Sequence, residues 1–273
     1  MEEIKNNFIQ KIKENKKYRN ISDNVILREI ENYMKKYQTD LYDEKFAVKI
    51  IRRQLHRIYS SYQTKGKKEI KRLLDELKNN ENNVKIINEI LSTTLSTKER
   101  LDKYFYIYNK IFELSKKPES IIDLGCGLNP ISINYMNLEK LRYYAYDIND
   151  YDIEFINKFF DLMKIDGKAE ILDIRDLESL RRIPKSDIIF MFKVYDLVVP
   201  KTKRFKKIGE EIINILKEKS EFMVISFATK TLTRKSMNLP RRIGFEMMLD
   251  RNNLKYSYIQ TDNEIYYVIR KKV

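Results

Sequence analysis

The chain has 273 residues, with 54 Lys and Arg against 40 Asp and Glu, a formal net charge of +14. That length can bury a sizeable core in one or two domains, and the basic excess points to a polyanionic partner. A single cysteine and a single histidine, His56, exclude a disulfide framework, a Cys- or His-cluster metal site and most histidine-based catalysis, so no metal is expected. No apolar run is long enough to span a membrane and no signal peptide is recognisable, so a cytoplasmic location is expected.

Residues 1–117 lack strand alternation and read as helices. Ile4, Phe8 and Ile12 share one helical face, and Ser22 is placed to cap a second helix. Leu41 to Tyr62 makes a third, with Phe46, Ile50, Ile51 and Leu55 apolar and Arg52, Arg53 and Arg57 on another face. The pattern resumes from Glu69 to Lys78 and over Val84 to Leu91. Thr97 is expected to cap a helix that runs to about Lys116 and closes before Pro118. The domain boundary is expected near Lys117–Pro118, with residues 1–117 forming a helical, basic RNA-binding domain and residues 118–273 a catalytic one.

From Glu119 the rhythm changes to strand, helix, strand. Strands are predicted over 120–124, 142–146, 169–172, 187–192, 221–227, 255–260 and 264–270, with helices over Tyr151–Met163 and Phe205–Lys219. Alternation implies an α/β fold with a parallel sheet covered on both faces. Thr261-Asp262-Asn263 is a hairpin-length link, so the last strand must run antiparallel. A seven-stranded, Rossmann-like sheet finished by one reversed strand resembles the class I methyltransferase fold.

The chain is organised around Asp123-Leu124-Gly125-Cys126-Gly127-Leu128-Asn129-Pro130, where a buried strand meets a glycine turn and then a segment that can start a helix. Glycines let a backbone approach a ligand, and a helix start offers free N–H groups. Asp147 ends the next strand, twenty residues beyond Gly127, where an acid can take a ribose hydroxyl pair. A dinucleotide site wants a third glycine where Pro130 stands. An S-adenosylmethionine site needs only the acid before the turn, Asp123, and the acid on the second strand. Asp173-Ile174 follows the third strand, either as an adenine contact or as a helix cap for Arg175 onward.

The fourth strand ends Phe192-Lys193-Val194-Tyr195-Asp196, without the Asn/Asp-Pro-Pro-aromatic run of adenine-amine methylases. Cys126 sits in the turn, where it cannot serve as the nucleophile of a carbon-5 pyrimidine methylase. Ribose 2′-O methylation needs a base, for which Lys193, Lys230 and Glu246 or Glu264 could be assembled. Guanine N7 carries a lone pair and no proton, so positioning is most of that catalysis, and a site without histidine or an evident base suits it best.

Five segments together resemble one family, the 16S ribosomal RNA guanine-N7 methyltransferases of aminoglycoside resistance. They are Leu95-Ser96-Thr97-Lys98-Glu99-Arg100, the Asp123–Pro130 turn, Tyr144-Ala145-Tyr146-Asp147-Ile148, Ile225-Ser226-Phe227-Ala228-Thr229-Lys230-Thr231-Leu232 and Asn263-Glu264-Ile265-Tyr266-Tyr267. The resemblance spans roughly residues 50 to 270 and implies an enzyme that uses S-adenosylmethionine on small-subunit ribosomal RNA or its assembly intermediate. It implies that Ser96 and Arg100 contact the cofactor, Arg100 at the methionine carboxylate. Gly125 would pass beside it, Asp147 hold the ribose, Asp173 and Ile174 the adenine, and Phe192 lie near the methyl donor. Tyr62, Thr94, Leu95, Asp123, Gly127 and Ile148 complete the candidate cofactor contacts; Phe192 and Lys193 are the candidate catalytic residues. Thr94 replaces the family's histidine, Tyr195-Asp196 its Leu-Pro pair, Lys201 its glutamine and Ala228 its proline.

Three basic clusters flank the acidic middle of the chain: Arg52, Arg53, Arg57, Lys65, Lys67, Lys68, Lys71 and Arg72; Lys201, Lys203, Arg204, Lys206 and Lys207; and Arg234, Lys235, Arg241 and Arg242. Together with Lys230 they are the candidate RNA contacts, each alone being also compatible with a solvated surface. Two other functions stay open on the residues: methylation of another RNA position, a ribose or base including tRNA, and a non-catalytic RNA-binding or assembly factor on this fold.

Overall fold

The computed structural model describes residues 2–37, 43–59, 67–79, 84–199, 203–230 and 240–272. Tyr62, Lys65, Lys201, Arg234 and Lys235 lie outside the described residues, and for Arg57, Lys67, Lys68, Lys203, Arg204 and Lys206 only the backbone is described. Helices come first: α1 (Glu2–Lys13), α2 (Asp23–Tyr37), α3 (Glu44–Tyr59), α4 (Lys67–Asn79), α5 (Val84–Leu91), α6 (Leu95–Arg100) and α7 (Tyr104–Leu114), the last two joined by a 3-10 turn at Leu101–Lys103. Thr97 does not cap this stretch as expected. Thr94 precedes α6, and the Thr97 hydroxyl, inside the helix, bonds the Leu91 carbonyl and the Thr94 hydroxyl. A hydroxyl that can serve the carbonyl of the preceding helix looks the same in sequence as a cap.

The alternating part follows as β1 (Ser120–Leu124), β2 (Arg142–Asp147), α8 (Asp150–Leu162), β3 (Gly167–Ile171), α9 (Leu177–Arg182), β4 (Ser186–Phe192), α10 (Tyr195–Val198), α11 (Lys203–Lys219), β5 (Ser220–Ala228), α12 (Ile243–Arg251), β6 (Leu254–Gln260) and β7 (Glu264–Lys271). The strands form one sheet in the order β3-β2-β1-β4-β5-β7-β6. β1 to β5 run parallel, and β7 lies antiparallel between β5 and its hairpin partner β6. Runs such as Ile188–Phe192 are buried without alternation, because both faces of the sheet are covered.

The segment from Asn129-Pro130, expected to start a helix, does so as a 3-10 helix over Asn129–Met136. Its residues have no polar stripe: Asn129, Pro130, Ile131, Ser132 and Met136 are all buried. The Ser132 hydroxyl bonds back to the Asn129 carbonyl (2.6 Å), and Asn137 ends the helix at φ +50°.

Three apolar cores hold the chain. One face of the sheet packs with α4, α5, α7 and α8, the other with α9 to α12. A separate core joins α1, α2 and α3 around Ile12, Ile21, Ile26 and Leu55. By packing, then, α4, α5 and α7 share a core with the sheet, although composition sets them with the helices before them.

The α1–α3 core reaches the C-terminal edge of the sheet. Ile21 bridges to Asn149, the Ser22 N–H donates to the Ile148 carbonyl (3.0 Å), and Ile148 packs against the core of α1–α3. Glu29 of α2 pairs with Arg175, and Arg28 with Asp176 (3.0 Å). Among the described residues no helix is long and apolar enough to cross a membrane.

Candidate active site

β1 and β2 pair in register from Ser120↔Arg142 to Leu124↔Tyr146, so the glycine turn and Asp147 leave the sheet side by side. The N–H groups of Gly125 and Cys126 donate to the Tyr146 carbonyl (2.8 and 3.0 Å). Gly125 has φ +66°, and a Cβ there would lie 2.6 Å from a Val194 methyl. Gly127 has φ +49° and open space where a Cβ would stand. The Asp147 carboxylate closes the turn: Oδ2 accepts from Gly127 N (2.9 Å), Oδ1 from Ile148 N (2.7 Å) and Asn149 N (3.1 Å). Burial pushes its pKa up against the pull of those three N–H groups.

Asp123 lies beneath the turn, 1% exposed. Its Oδ2 accepts from Asn129 Nδ2 (2.8 Å) and the Tyr143 hydroxyl (2.7 Å). Burial pushes its pKa up to about 6, against those donors and Arg100.

A cleft of about 980 Å³, its open mouth included, runs along the ends of these strands. It brings together the candidates Thr94, Ser96, Arg100, Asp123, Gly125, Gly127, Asp147, Ile148, Asp173, Ile174, Phe192 and Lys193. Leu95 opens α6 but does not line the cleft. Sequence reading missed Leu172, Val194, Leu197 and Val198, which add apolar wall. The spacing of the last three over one turn after Lys193 is the signal that could have found them.

Asp173 is held by Arg175, whose Nη2 and Nε donate at 2.8 and 3.0 Å, and Arg28 lies 3.5 Å from it. Its Oδ1 also accepts from Arg175 N (2.9 Å), capping the turn before α9, whereas the cap of α9 itself is Asp176, which accepts from Ser179 N (3.3 Å).

At the other end of the cleft stands Arg100, 3% exposed. Its Nε and Nη2 donate to the two oxygens of Glu264, both at 2.9 Å, and its guanidinium lies 5.0 Å from the centre of the Phe192 ring. Its ion pair is therefore a buried one. Burial works against its charge, yet Glu264 beside it raises its pKa well above the ordinary value. Lys193 sits in the left-handed region (φ +59°) with its N–H on Ser226 Oγ (2.9 Å). Its Nζ donates to Glu99 (2.7 Å) and lies 3.4 Å from Glu264. Of the tetrad considered for a ribose reaction, Lys193 and Glu264 meet here, but Glu246 does not. It is engaged by Arg241 Nε (2.9 Å) and the Tyr267 hydroxyl (2.6 Å).

Among the candidate RNA contacts, Arg53 is exposed on α3. Arg52 turns inward and donates from Nη2 to the Lys11 carbonyl, because its Cα lies on the flank of α3 that faces α1. Arg72 is exposed but pairs along its own helix with Glu69 (2.8 Å) and Glu76. Lys230 is half-buried at the end of β5. Among the described residues no cluster of three His, Cys, Asp or Glu side chains could hold a metal ion.

The donor set fits a nucleoside carrying an amino-acid tail. Asp147 has acceptor capacity left beyond its three N–H donors, Gly127 leaves room beside it, and Ile148, Leu172 and Ile174 give apolar wall for a ring. The cations Arg100 and Lys193 mark the opposite end.

Comparisons with known proteins give the family and the fold. A family model described as ribosomal RNA methyltransferase (FmrO) matches residues 14–268. A 16S rRNA (guanine(1405)-N(7))-methyltransferase of Frankia casuarinae is 25% identical over 238 residues, 84% of this chain and 81% of its own length. One of Proteus mirabilis is 28% identical over 251 residues, 85% and 86% of the two chains. The structure of the 16S rRNA methyltransferase RmtF in complex with S-adenosyl-L-homocysteine has the same fold, with a TM-score of 0.79 at 20% identity over 100% of both chains. On the extent of the family match, this chain is a member of the FmrO family of ribosomal RNA methyltransferases.

Proposed function

We propose that the protein transfers a methyl group from S-adenosylmethionine to N7 of a guanine in small-subunit ribosomal RNA. The observation that carries the reading is the polarity of the cleft, with Asp147 and the glycine turn at one end and Arg100, Phe192 and Lys193 at the other. The names of the relatives support the choice of nucleotide. S-adenosylmethionine supplies an electrophilic methyl carbon, whose bond to sulfur breaks as the guanine N7 lone pair forms the new carbon–nitrogen bond.

In this reading Asp147 accepts ribose hydroxyls, Ile148 and Ile174 enclose the adenine, and Arg100 takes the tail carboxylate. Phe192 walls the methyl site. Lys193 is ion-paired with Glu99 and lies beside Glu264, engaged rather than aimed at the guanine. No proton leaves N7 in the transfer, so orientation and exclusion of water are the protein's main contribution. Arg53 and the flanking basic clusters contact phosphates, residues 1–117 supply most of that surface, and residues 118–273, with Arg100 of α6, perform the transfer. The reaction takes place in the cytoplasm, where ribosomal subunits are.

The test is nucleoside mass spectrometry on small subunits, assembled or as naked RNA, incubated with protein and S-adenosylmethionine. One new 7-methylguanosine per subunit is expected. A methyl on a ribose or another base refutes the N7 assignment, and absence of any new methylated nucleoside refutes the enzyme.

A further inference from the structure

The Arg100 end of the cleft is built on one acid that no ligand need touch. Glu264, the first residue of β7, is 1% exposed, and three side chains converge on it. Arg100 fills both oxygens at 2.9 Å, the Ser226 hydroxyl donates to Oε1, and Lys193 Nζ stands 3.4 Å from Oε2. These partners come from three other elements: α6, β5 and the turn after β4. Burial favours the neutral carboxyl, but Arg100 and Lys193 hold the Glu264 pKa below the ordinary range.

Two cations meet one fully buried carboxylate and one partly exposed carboxylate in this cluster. Arg100 and Lys193 are both buried against a single buried carboxylate. The second acid, Glu99, is 28% exposed and screened by water. Two of the five Arg100 N–H donors are spent on Glu264, which fixes the plane of the fork over Phe192 and leaves donors for the cleft. A long arginine without such a brace would lose that orientation among its rotamers.

We propose that Glu264 is a positioning residue that presents Arg100 and Lys193 as a preset receptor for the carboxylate of the cofactor's amino-acid tail. It acts through those two cations and touches neither cofactor nor RNA. The inference rests on the methyl-transfer reading above.

The experiment compares two nucleosides by titration calorimetry: S-adenosylhomocysteine, which carries the tail, and 5′-methylthioadenosine, which lacks it. Glu264→Gln leaves Arg100 facing an amide. It is expected to weaken S-adenosylhomocysteine about tenfold or more and to change 5′-methylthioadenosine less than about twofold. The second nucleoside reports on the fold of the shared pocket. If Glu264→Gln does not fold, Ser226→Ala, which removes only the hydroxyl braces, is put through the same comparison and should show a smaller loss of the same selectivity. Equal losses for both nucleosides, or no loss for either, overturn the inference. A wild-type protein that binds neither nucleoside overturns the methyltransferase reading and the inference together, whereas wild-type binding with unselective losses in the variant overturns the inference alone.

Discussion

The carboxylate of Asp147, at the tip of β2, accepts the backbone N–H of Gly127 at 2.9 Å. One side chain therefore does two things: it fixes the glycine turn and offers its remaining lone pairs to the cleft. Asp147→Ala is expected to abolish S-adenosylhomocysteine binding in calorimetry while leaving binding to small ribosomal subunits within about twofold, since the exposed Arg53 lies on α3. Retained cofactor affinity in this variant contradicts the assignment of Asp147.

Gly125 has no tolerance for a side chain. At φ +66° an alanine is strained by about 1–2 kcal/mol, and its Cβ would stand 2.6 Å from Val194 Cγ2. Gly125→Ala should lower the melting temperature by several degrees and weaken the cofactor. Val194→Ala in the same chain relieves the contact but not the torsion, so partial recovery is expected in thermal unfolding.

The pH dependence of stability should carry a component from Asp123. Its folded pKa of about 6 lies above that of an ordinary aspartate. The folded state then binds the proton more tightly than the unfolded chain. The contribution of this group is most favourable below pH 4 and is lost as pH rises to 6, by about 3 kcal/mol in total. Asp123→Asn, which can accept from Asn129 and Tyr143 without ionising, should flatten that component. The check is the difference in unfolding free energy between wild type and variant at pH 4.5 and 7; a difference that does not grow with pH goes against it.

Arg53→Ala is expected to weaken subunit binding and lower the slope of log affinity against log salt by about 1, with cofactor affinity unchanged. Arg52→Ala should act differently, because that guanidinium holds the Lys11 carbonyl and braces α3 against α1. A loss of thermal stability with a smaller change in salt slope is the expected signature.

All seven strands and the reversed last strand were legible in the sequence, since each strand is a short apolar run and Thr261–Asn263 admits only a hairpin. The glycine turn and Asp147 were legible for the same reason: their chemistry is local. What the sequence hid was pairing at a distance. Nothing near Arg100 announces that its partner lies 164 residues away at Glu264. Nothing near Asp173 announces Arg28 from α2. Arg52 and Arg53 are adjacent and chemically alike, and only the docking of α1 turns one inward. The helix start after Pro130 was legible too, but not its 3-10 form, because most of its residues are buried and no polar–apolar stripe of α-helical period sets its geometry.

The bridge between Ile21 and Asn149 ties an early turn to a loop made much later. During synthesis on the ribosome, α1 and α2 emerge more than a hundred residues before the strand tip they dock against. The first helices must therefore wait, as a loosely held bundle with a sticky flank, until translation delivers β2, and a pause in that interval is when the nascent chain is most open to chaperones and to proteolysis.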